Sequence, residues 1–567
     1  NLFRALLRLR RHGTSAEQVA LWVDFICINQ TDPHEKTIQL SNMVNIYRNA
    51  SNVCIWLGES DNEGRSDKAM EFIPEIMDFA VMDRYARDKK QAHKWFALSE
   101  LMRDRWFSRR WIVQEIALSK SATVHCGGSM VWWSDFADAV SLLVSNQESI
   151  KLLFDFPEWR EGPNILGAVS SYGASILLEA MNNLFLRKPN GDLKRPIKTI
   201  EALVTQLTTF DTSDTHDLIY SVVSIASDTS HHVDMWARRP DPPLSFSLKT
   251  DYKKTPVEAY EDFTKFCVLS SQSLDIICRP WAMPVKKEDG NALELPSWIP
   301  LLSNSEFGVP DEVYSGRKNG EVLVGPVGYP HCRASGAKKN ISAAEPGQHS
   351  HNSSTSFGGY PIEFPLGGGL IVAKGLRLAT IKYVSPRTTG GVILSESLKM
   401  LGWIRFGTHT ERVPDTIWRT LVADRGEHGE MPPSWYQRAC LRCLEIADTF
   451  NNGDLNIGEL LQGQSQMLHK YLVRVRNVTW NRRFFRAATK SPSQERWDYG
   501  LCPPDSRKDD LICILFGCSV PVILRKAPDG CMTLVGEVYV HGKMDGEAVE
   551  EFEENSSSDR LETFSLR

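Results

Sequence analysis

The chain has 567 residues, of which 42% are hydrophobic and 24% are charged, and its formal net charge is −5. A single hydrophobic core stops growing at about 250 to 300 residues, so two or three domains are expected. This composition excludes a disordered chain, a collagen-like repeat and a coiled-coil rod. The slightly acidic balance gives no global electrostatic reason to bind nucleic acid. The sequence contains no apolar run of about 18 residues, so no membrane span is predicted.

The first residues and the cysteines favour a cytoplasmic protein. Residues 1–13 are amphipathic and basic, and they lack the apolar centre of a signal peptide. The 12 cysteines are scattered, mostly within apolar runs such as those around Cys54, Cys267 and Cys513. There they are expected to be small buried thiols rather than disulfide partners. Because the chain begins with Asn1 rather than Met, inside a helical pattern, a preceding segment is expected to be missing.

Three short apolar runs in the N-terminal part predict β-strands. They are Leu21 to Ile28, Asn52 to Leu57 and Ala122 to Cys126. Helical patterns separate the runs, and this alternation predicts an α/β fold with a parallel sheet covered by helices. The first of these helices has a clear start signal, because Asp32 suits the N-cap, Pro33 the first helical position, and Glu35 a capping box with Asp32.

A second helix is predicted from Ser108 to Ser119, with Ser108 as its N-cap. On a helical wheel its apolar residues cover nearly the whole circumference, and Glu115 falls between Trp111 and Ile112. This helix is therefore expected to be largely buried, with a carboxylate on an apolar face.

The rest of the chain predicts a helical region followed by a β-rich module. Helical patterns dominate from about Lys198 to Leu302, and a Gly-, Ser-, His- and Asn-rich segment at 336–359 predicts a flexible loop. Further on come strand-like runs, helices to about Tyr471, a β-rich segment and an acidic, polar tail. The predicted domains are 1–145 (α/β), 146–305 (helical), 306–360 (flexible linker), 361–554 (mixed α/β with a C-terminal β-rich segment) and 555–567 (disordered tail).

Several stretches, in a consistent order, resemble the fungal heterokaryon-incompatibility (HET) domain and the segments that follow it in that family. The stretches similar to the domain itself are LWVDFICINQTDPHEKTIQLSNMVNIYRNA, SNVCIWLGES and DRWFSRRWIVQEIALSKSATVHCGG. Those similar to the later segments are FDTSDTHDLIYSVVSIASD, TDYKKTPVEAYEDFTKF, LPSWIP, DDLICILFGCSVPVILR and LVGEVYVHGKMDGEAV. Because the stretches are spread over most of the chain, the resemblance is specific.

This resemblance implies both a fold and a function. HET domains look like relatives of the TIR (Toll/interleukin-1 receptor) domain, which implies a flavodoxin-like parallel sheet. Members usually begin with a strand similar to Tyr-x-Ala-Leu-Ser-Tyr-x-Trp-Gly, and nothing before Leu21 matches it, so the first strand is expected to be missing. The implied function is fungal allorecognition, in which a TIR-like signalling module triggers programmed cell death after association with itself or with another incompatibility protein.

Two alternatives stay open, an NAD-cleaving glycohydrolase and a non-functional, truncated relic. The enzyme depends on Glu115, because RRWIVQEI resembles the Trp-x-x-x-Glu arrangement of enzymatic TIR domains. Cleavage of the nicotinamide glycosidic bond of NAD places positive charge on the ribose, which a nearby carboxylate stabilises. In the purely structural interpretation, Glu115 pairs with Arg109, Arg110 or a backbone donor and only holds its helix in place.

Further residues are candidates for lining a ligand cleft beside Glu115. Arg109 and Trp111 neighbour it in sequence. Four others lie in or just past the carboxyl end of the first predicted strand, where open α/β sheets bind ligands. They are Asp24, Cys27, Asn29 and Gln30. The alternative interpretation of these four is turn hydrogen bonding and, for Cys27, core packing.

No metal site is predicted. Residues 448–459 imitate a calcium loop, but its third position is Phe450, which cannot bind a hard cation, so a capped turn between helices is expected. Cys440 and Cys443 lack a second pair at zinc-binding spacing.

Overall fold

The structure is a computed structural model in which contacts divide the chain into two units. The first unit comprises residues 1–241 and 249–255, and the second comprises 242–248 and 256–567. The described residues are 1–11, 20–155, 158–159, 165–166, 169, 172–189, 193–229, 246–286, 289–307, 317–336, 354–357, 360–365, 367–404, 412–462, 465–489, 496–555 and 560–567. Of the predicted linker, residues 308–316, 337–353 and 358–359 lie outside the described residues.

The N-terminal unit combines many helices with short strands. Its helices are α1 (Leu2–Arg11), α2 (Asp24–Cys27), α3 (Pro33–Asn49), α4 (Arg65–Glu75), α5 (Phe79–Tyr85), α6 (Ala92–Met102), α7 (Ile112–Leu118), α8 (Trp133–Ser145), α9 (Gln147–Lys151), α10 (Gly173–Met181), α11 (Ile200–Gln206) and α12 (Asp217–Val223). Its strands are β1 (Val53–Gly58), β2 (Ala122–Cys126), β3 (Ser129–Trp132), β4 (Phe185–Arg187) and β5 (Leu193–Pro196).

The sheet of this unit that matters for the site has the strand order β1-β2-β3. β1 and β2 are parallel, with Val53 opposite Ala122, and β3 returns antiparallel to β2. Every residue of β2 is buried, as expected for a strand covered on both faces. The second and third predicted strands are thereby confirmed, and so is the coarse prediction of helices alternating with a sheet that contains parallel strands.

The first predicted strand, Leu21 to Ile28, is wrong. The run is irregular up to Val23 and then forms the single-turn helix α2, with Phe25 and Ile26 exposed. Asp24 interrupts the run, because its side chain accepts a hydrogen bond from the backbone N–H of Phe25 at 2.7 Å. Such local bonds compete with strand pairing, and the apolar composition alone did not reveal this.

The predicted start of α3 is confirmed, whereas that of α7 is wrong. The Asp32 side chain accepts hydrogen bonds from the N–H groups of His34 and Glu35, which confirms the N-cap. The Glu35 carboxylate accepts from the N–H of Asn29 at 3.1 Å instead of that of Asp32, so the predicted capping box is wrong. Before α7, a 3-10 turn at Arg105–Ser108 is capped by Asp104, and α7 begins only at Ile112. The predicted cap Ser108 instead donates to the Asp211 carboxylate at 2.8 Å. The prediction of a largely buried helix is confirmed, since most residues of α7 are buried.

Arg110 joins the segment before α7 to the helices α11 and α12. Its side chain is 1% exposed, and its guanidinium donates to the carbonyls of Leu207, Val204 at 3.4 Å and Leu218 at 2.7 Å. The backbone N–H of Arg110 also donates to the carbonyl of Asp211. Because buried carbonyls need donors, this one side chain fixes where the 105–111 segment lies.

The second unit holds a large sheet with helices. Its helices are α13 (Pro256–Ser271), α14 (Ser395–Met400), α15 (Asp415–Leu421), α16 (Tyr436–Phe450), α17 (Ile457–Leu460), α18 (Gln466–Thr479) and α19 (Glu547–Asn555). Its strands are β6 (Ser354–Phe357), β7 (Tyr360–Glu363), β8 (Ile371–Arg387), β9 (Val392–Ile393), β10 (Leu455–Asn456), β11 (Arg483–Thr489), β12 (Arg496–Cys502), β13 (Leu511–Leu515), β14 (Val522–Lys526), β15 (Met532–Glu537), β16 (Tyr539–Val540) and β17 (Leu561–Leu566).

The long strand β8 organises the large sheet of the second unit. It pairs with β11, β13 and β17, and the pairings β13-β14-β15-β17-β8-β13 close into a ring. The predicted disordered tail at 555–567 is wrong for residues 561–566, because β17 pairs along β8 and buries Phe564 and Leu566. Its alternation of buried and open side chains is a strand signal that the acidic composition concealed. Residues 556–559 lie outside the described residues.

Arg110→Met is expected to destabilise the protein strongly, because it removes the donor for three buried carbonyls. The free energy of unfolding should fall by on the order of 3 kcal/mol. Arg109→Met is the matched control, since Arg109 is exposed, and its effect should stay within about 0.5 kcal/mol. Urea unfolding followed by circular dichroism measures both, and equal losses in the two variants would contradict the role given to Arg110.

Candidate functional site

Glu115 lies in a small cluster of ionisable side chains in the N-terminal unit. The residue is half-buried, and its carboxylate accepts a hydrogen bond from the Tyr47 hydroxyl and lies within electrostatic range of Arg109 and Asp24. We call these four residues the Glu115 cluster. The predicted candidates Glu115, Asp24 and Arg109 are thus brought together, and Tyr47 joins them.

The balance of burial and charge in the cluster raises the pKa of Glu115 to about 7. Burial opposes the charged form most strongly and Asp24 adds repulsion, whereas Arg109 and the Tyr47 hydrogen bond favour the carboxylate. Burial and the neighbouring carboxylates also raise the pKa of Tyr47, which therefore stays a neutral donor. A carboxyl group that titrates near neutral pH can both give and accept a proton, which is the requirement for general acid and base catalysis.

Helix α3 supplies Tyr47, and the segment before α2 packs on it. The rings of Trp22 and Tyr47 meet edge to face with centroids 5.8 Å apart, which places the neighbouring Asp24 near the cluster. Tyr47 and Glu115 each lie in a helix that ends a few residues before a strand begins, α3 before β1 and α7 before β2. Because Leu21 to Ile28 is not a strand, the expectation that the site follows its carboxyl end is wrong.

The other residues predicted near that strand end have local roles. The Asn29 side chain accepts hydrogen bonds from the N–H and hydroxyl of Thr31, and the Gln30 amide donates to the carbonyl of Asp24 at 3.1 Å. These bonds match the interpretation as turn residues. Cys27 is exposed, so core packing does not describe it, and Cys54, also expected to be buried, is exposed too.

Trp111 lies in a second network. Its indole N–H donates to the carboxylate of Asp217 at 2.9 Å, and the hydroxyl of Tyr252 donates to the other oxygen of that carboxylate at 2.6 Å. The ring nitrogens of His216 contact the Asp214 carboxylate at 2.7 Å and the carbonyl of Lys254 at 2.9 Å. The FDTSDTHD and TDYKKTP stretches therefore meet the RRW segment in the fold.

A cavity of about 420 Å³ opens beside these residues. Arg105, Arg109, Trp111, Thr212, Ser213 and Asp217 contribute to its lining. Arg109 belongs to both places, since it lines the cavity and acts electrostatically on Glu115.

Tyr47, Asp217 and the cavity are not predicted by the sequence. Tyr47 lies at helical spacing from apolar residues of α3, and its hydroxyl among them is the signal available in the sequence. Asp217 stands in a stretch that resembles the family, but nothing local indicates that it accepts hydrogen bonds from Trp111 and Tyr252. Both contacts join residues far apart in the chain.

The calcium-like loop is a structural turn. Asp454 accepts a hydrogen bond from the N–H of Ser395, Asn456 caps α17, and Asp448 accepts one from the indole of Trp403 at 3.2 Å. Among the residues that the structure describes, no group of three His, Cys, Asp or Glu side chains is arranged to hold a metal ion.

Glu115→Gln is expected to change stability in a pH-dependent way. The unfolded carboxyl titrates near 4.5 and the folded one near 7, so wild type loses stability as pH rises between these values, while the glutamine variant does not. The variant should therefore gain stability relative to wild type at pH 8 and show little gain at pH 4. Urea unfolding at both pH values tests this, with the exposed Glu71→Gln as control. A constant difference would refute the raised pKa.

Comparisons with known proteins agree with the resemblance found in the sequence. Residues 1–115 match the family model described as Heterokaryon incompatibility protein (HET). Heterokaryon incompatibility protein 6, OR allele, of Neurospora crassa is 25% identical over 333 residues, which are 52% of this chain and 46% of that protein. The chain thus spans about half the length of this curated relative. No solved structure matches the chain.

In the described part of the chain, every helix is too short or too polar to cross a membrane. The family match ends at Glu115, the residue that the Trp-x-x-x-Glu resemblance selected. It covers Tyr47 in α3, Arg109 in the segment before α7, and the first residues of α7 up to Glu115. The predicted resemblance to the HET domain is confirmed over residues 1–115, which match the HET family model.

Proposed function

We propose that this chain is an incompatibility factor of fungal allorecognition, acting inside the cell, whose HET domain triggers programmed cell death. The match of residues 1–115 to the HET model and the name of the Neurospora relative support this role. The observation that carries it is the Glu115 cluster, because the carboxyl group lies at the end of the matched segment and its pKa is raised. Perturbed carboxyl groups of this kind concentrate at functional sites.

The proposal includes a TIR-like signalling module that works through protein association. A parallel β1–β2 pair preceded by α3 and α7 supports the likeness. Phe25 and Ile26 are 73% and 60% exposed on α2, and neighbouring exposed apolar side chains favour contact with another protein. The partner is a second copy of the chain or another incompatibility protein.

Controlled expression of this chain in fungal cells is expected to arrest growth, and Glu115→Gln to abolish the arrest. Glu71→Gln is the matched control, because Glu71 is exposed on α4 and outside the cluster, and it should arrest growth like wild type. Viable colony counts after induction, with protein levels checked by immunoblot, measure the effect. Arrest that persists in Glu115→Gln at equal protein level would rule out the cluster as the effector site.

A second candidate function is the cleavage of NAD into nicotinamide and an ADP-ribosyl product. The observation that favours it is specific, since Glu115 with a pKa of about 7 stands beside a second carboxylate, Asp24. A pair of carboxylic groups is the usual equipment for cleaving a glycosidic bond. The neutral Tyr47 hydroxyl would position the Glu115 carboxylate through its hydrogen bond.

Nicotinamide release by the purified chain distinguishes this enzyme from a binding module. Wild type is expected to release nicotinamide from NAD, and Glu115→Gln to lower the rate by about 100-fold or more. Tyr47→Phe should keep activity but move its pH dependence upward, because the hydrogen bond that favours the carboxylate is lost. Growth arrest without any nicotinamide release would exclude NAD cleavage as the activity of this chain and would remain consistent with the signalling role.

A further inference from the structure

The lining of the cavity beside Trp111 includes both buried and solvent-exposed side chains. The Arg110 guanidinium donates hydrogen bonds to the carbonyls of Leu207, Val204 and Leu218. Both carboxylate oxygens of Asp217 accept hydrogen bonds, from Tyr252 and Trp111. Because these side chains are engaged in hydrogen bonds within the protein, we assign them to the wall of the cavity and not to ligand binding.

The side chains that face solvent in the cavity are chiefly cationic. Arg105 and Arg109 are both exposed there, next to the hydroxyl-bearing Thr212 and Ser213. Asp211 also lines the cavity, but one oxygen of its carboxylate accepts a hydrogen bond from the Ser108 hydroxyl. Three guanidinium groups against two carboxylates leave a net positive lining.

The size of the cavity suits a small molecule. Its volume of about 420 Å³ lies in the range of ligand pockets, roughly 300 to 1,000 Å³. The lining also includes the indole of Trp111, which is fixed by its bond to Asp217 and offers apolar surface. Guanidinium groups pair with phosphate oxygens in bidentate fashion, and hydroxyl groups add further donors.

We propose that this cavity is a binding site for a small organic phosphate, whose phosphate group is held by Arg105 and Arg109. The Thr212 and Ser213 hydroxyls add hydrogen bonds, and Trp111 contacts the organic part. The site does not depend on catalysis by Glu115, because Glu115 does not line the cavity. It therefore goes beyond the function proposed above and can be tested separately from it.

ADP, without added metal ion, is the probe for this site, and isothermal titration at low ionic strength measures its binding to the purified chain. Wild type is expected to bind ADP, and adenosine, which lacks phosphate, is expected to give no binding at the same concentrations. Arg105→Gln and Arg109→Gln should each weaken ADP binding by about tenfold, the loss of one charge-assisted contact. Added salt should weaken wild-type binding, because screening acts on exposed charges.

Arg87→Gln is the matched control, since Arg87 is exposed and outside the cavity lining, and it should leave ADP affinity unchanged. Circular dichroism and the unfolding midpoint verify that the variants keep their fold. Absence of ADP binding to wild type, equal binding of adenosine, or unchanged affinity in both cavity variants would each overturn the proposal. Glu115→Gln should bind ADP at least as tightly as wild type, because it removes a negative charge that interacts with Arg109. Failure of this site and failure of the effector role therefore give different results.

Discussion

The arrangement of the candidate site depends on the buried guanidinium of Arg110. It donates to three backbone carbonyls of the segment that contains α11 and α12, and the 105–111 segment is thereby held at a defined position. A buried charge with this many directional bonds tolerates little displacement, since each unsatisfied carbonyl would cost free energy. The two residues next to Arg110 in the chain are placed by the same bonds, and each of them has a different neighbourhood.

The three consecutive residues Arg109, Arg110 and Trp111 have three distinct roles. Arg110 is structural, Arg109 on one side is exposed and acts on Glu115, and Trp111 on the other side donates to Asp217. A helix that began at Ser108 would place these side chains about 100° apart around one axis. The helix begins only at Ile112, so the preceding residues are free to take irregular backbone positions that serve both networks.

The features predictable from the sequence are those that depend on neighbouring residues or on a complete strand pattern. The Asp32 cap with Pro33 is local chemistry, and the strands at 53–58 and 122–126 are short runs rich in strand-forming residues. The run from Leu21 to Ile28 is similarly rich in strand-forming residues but has no strand partner in the described residues. The Asp24 side chain accepts a hydrogen bond from the N–H of Phe25, and the chain forms the helix α2 there. The sequence motif indicates Glu115. Its hydrogen-bond partner Tyr47 lies in another helix, and the packing of α3 on α7 brings the two side chains together.

The shared position of Arg109 couples the Glu115 cluster to the cavity. Arg109 favours the ionised form of Glu115, and its guanidinium also faces the cavity. An anion held by that guanidinium weakens the field at Glu115 and adds negative charge nearby, so both effects raise the pKa of Glu115 further. By linkage, protonation of Glu115 in turn favours anion binding, because the negative charge of Glu115 then no longer competes with the anion for Arg109. Occupancy of the cavity and the protonation state of the carboxyl group are therefore two parts of one equilibrium.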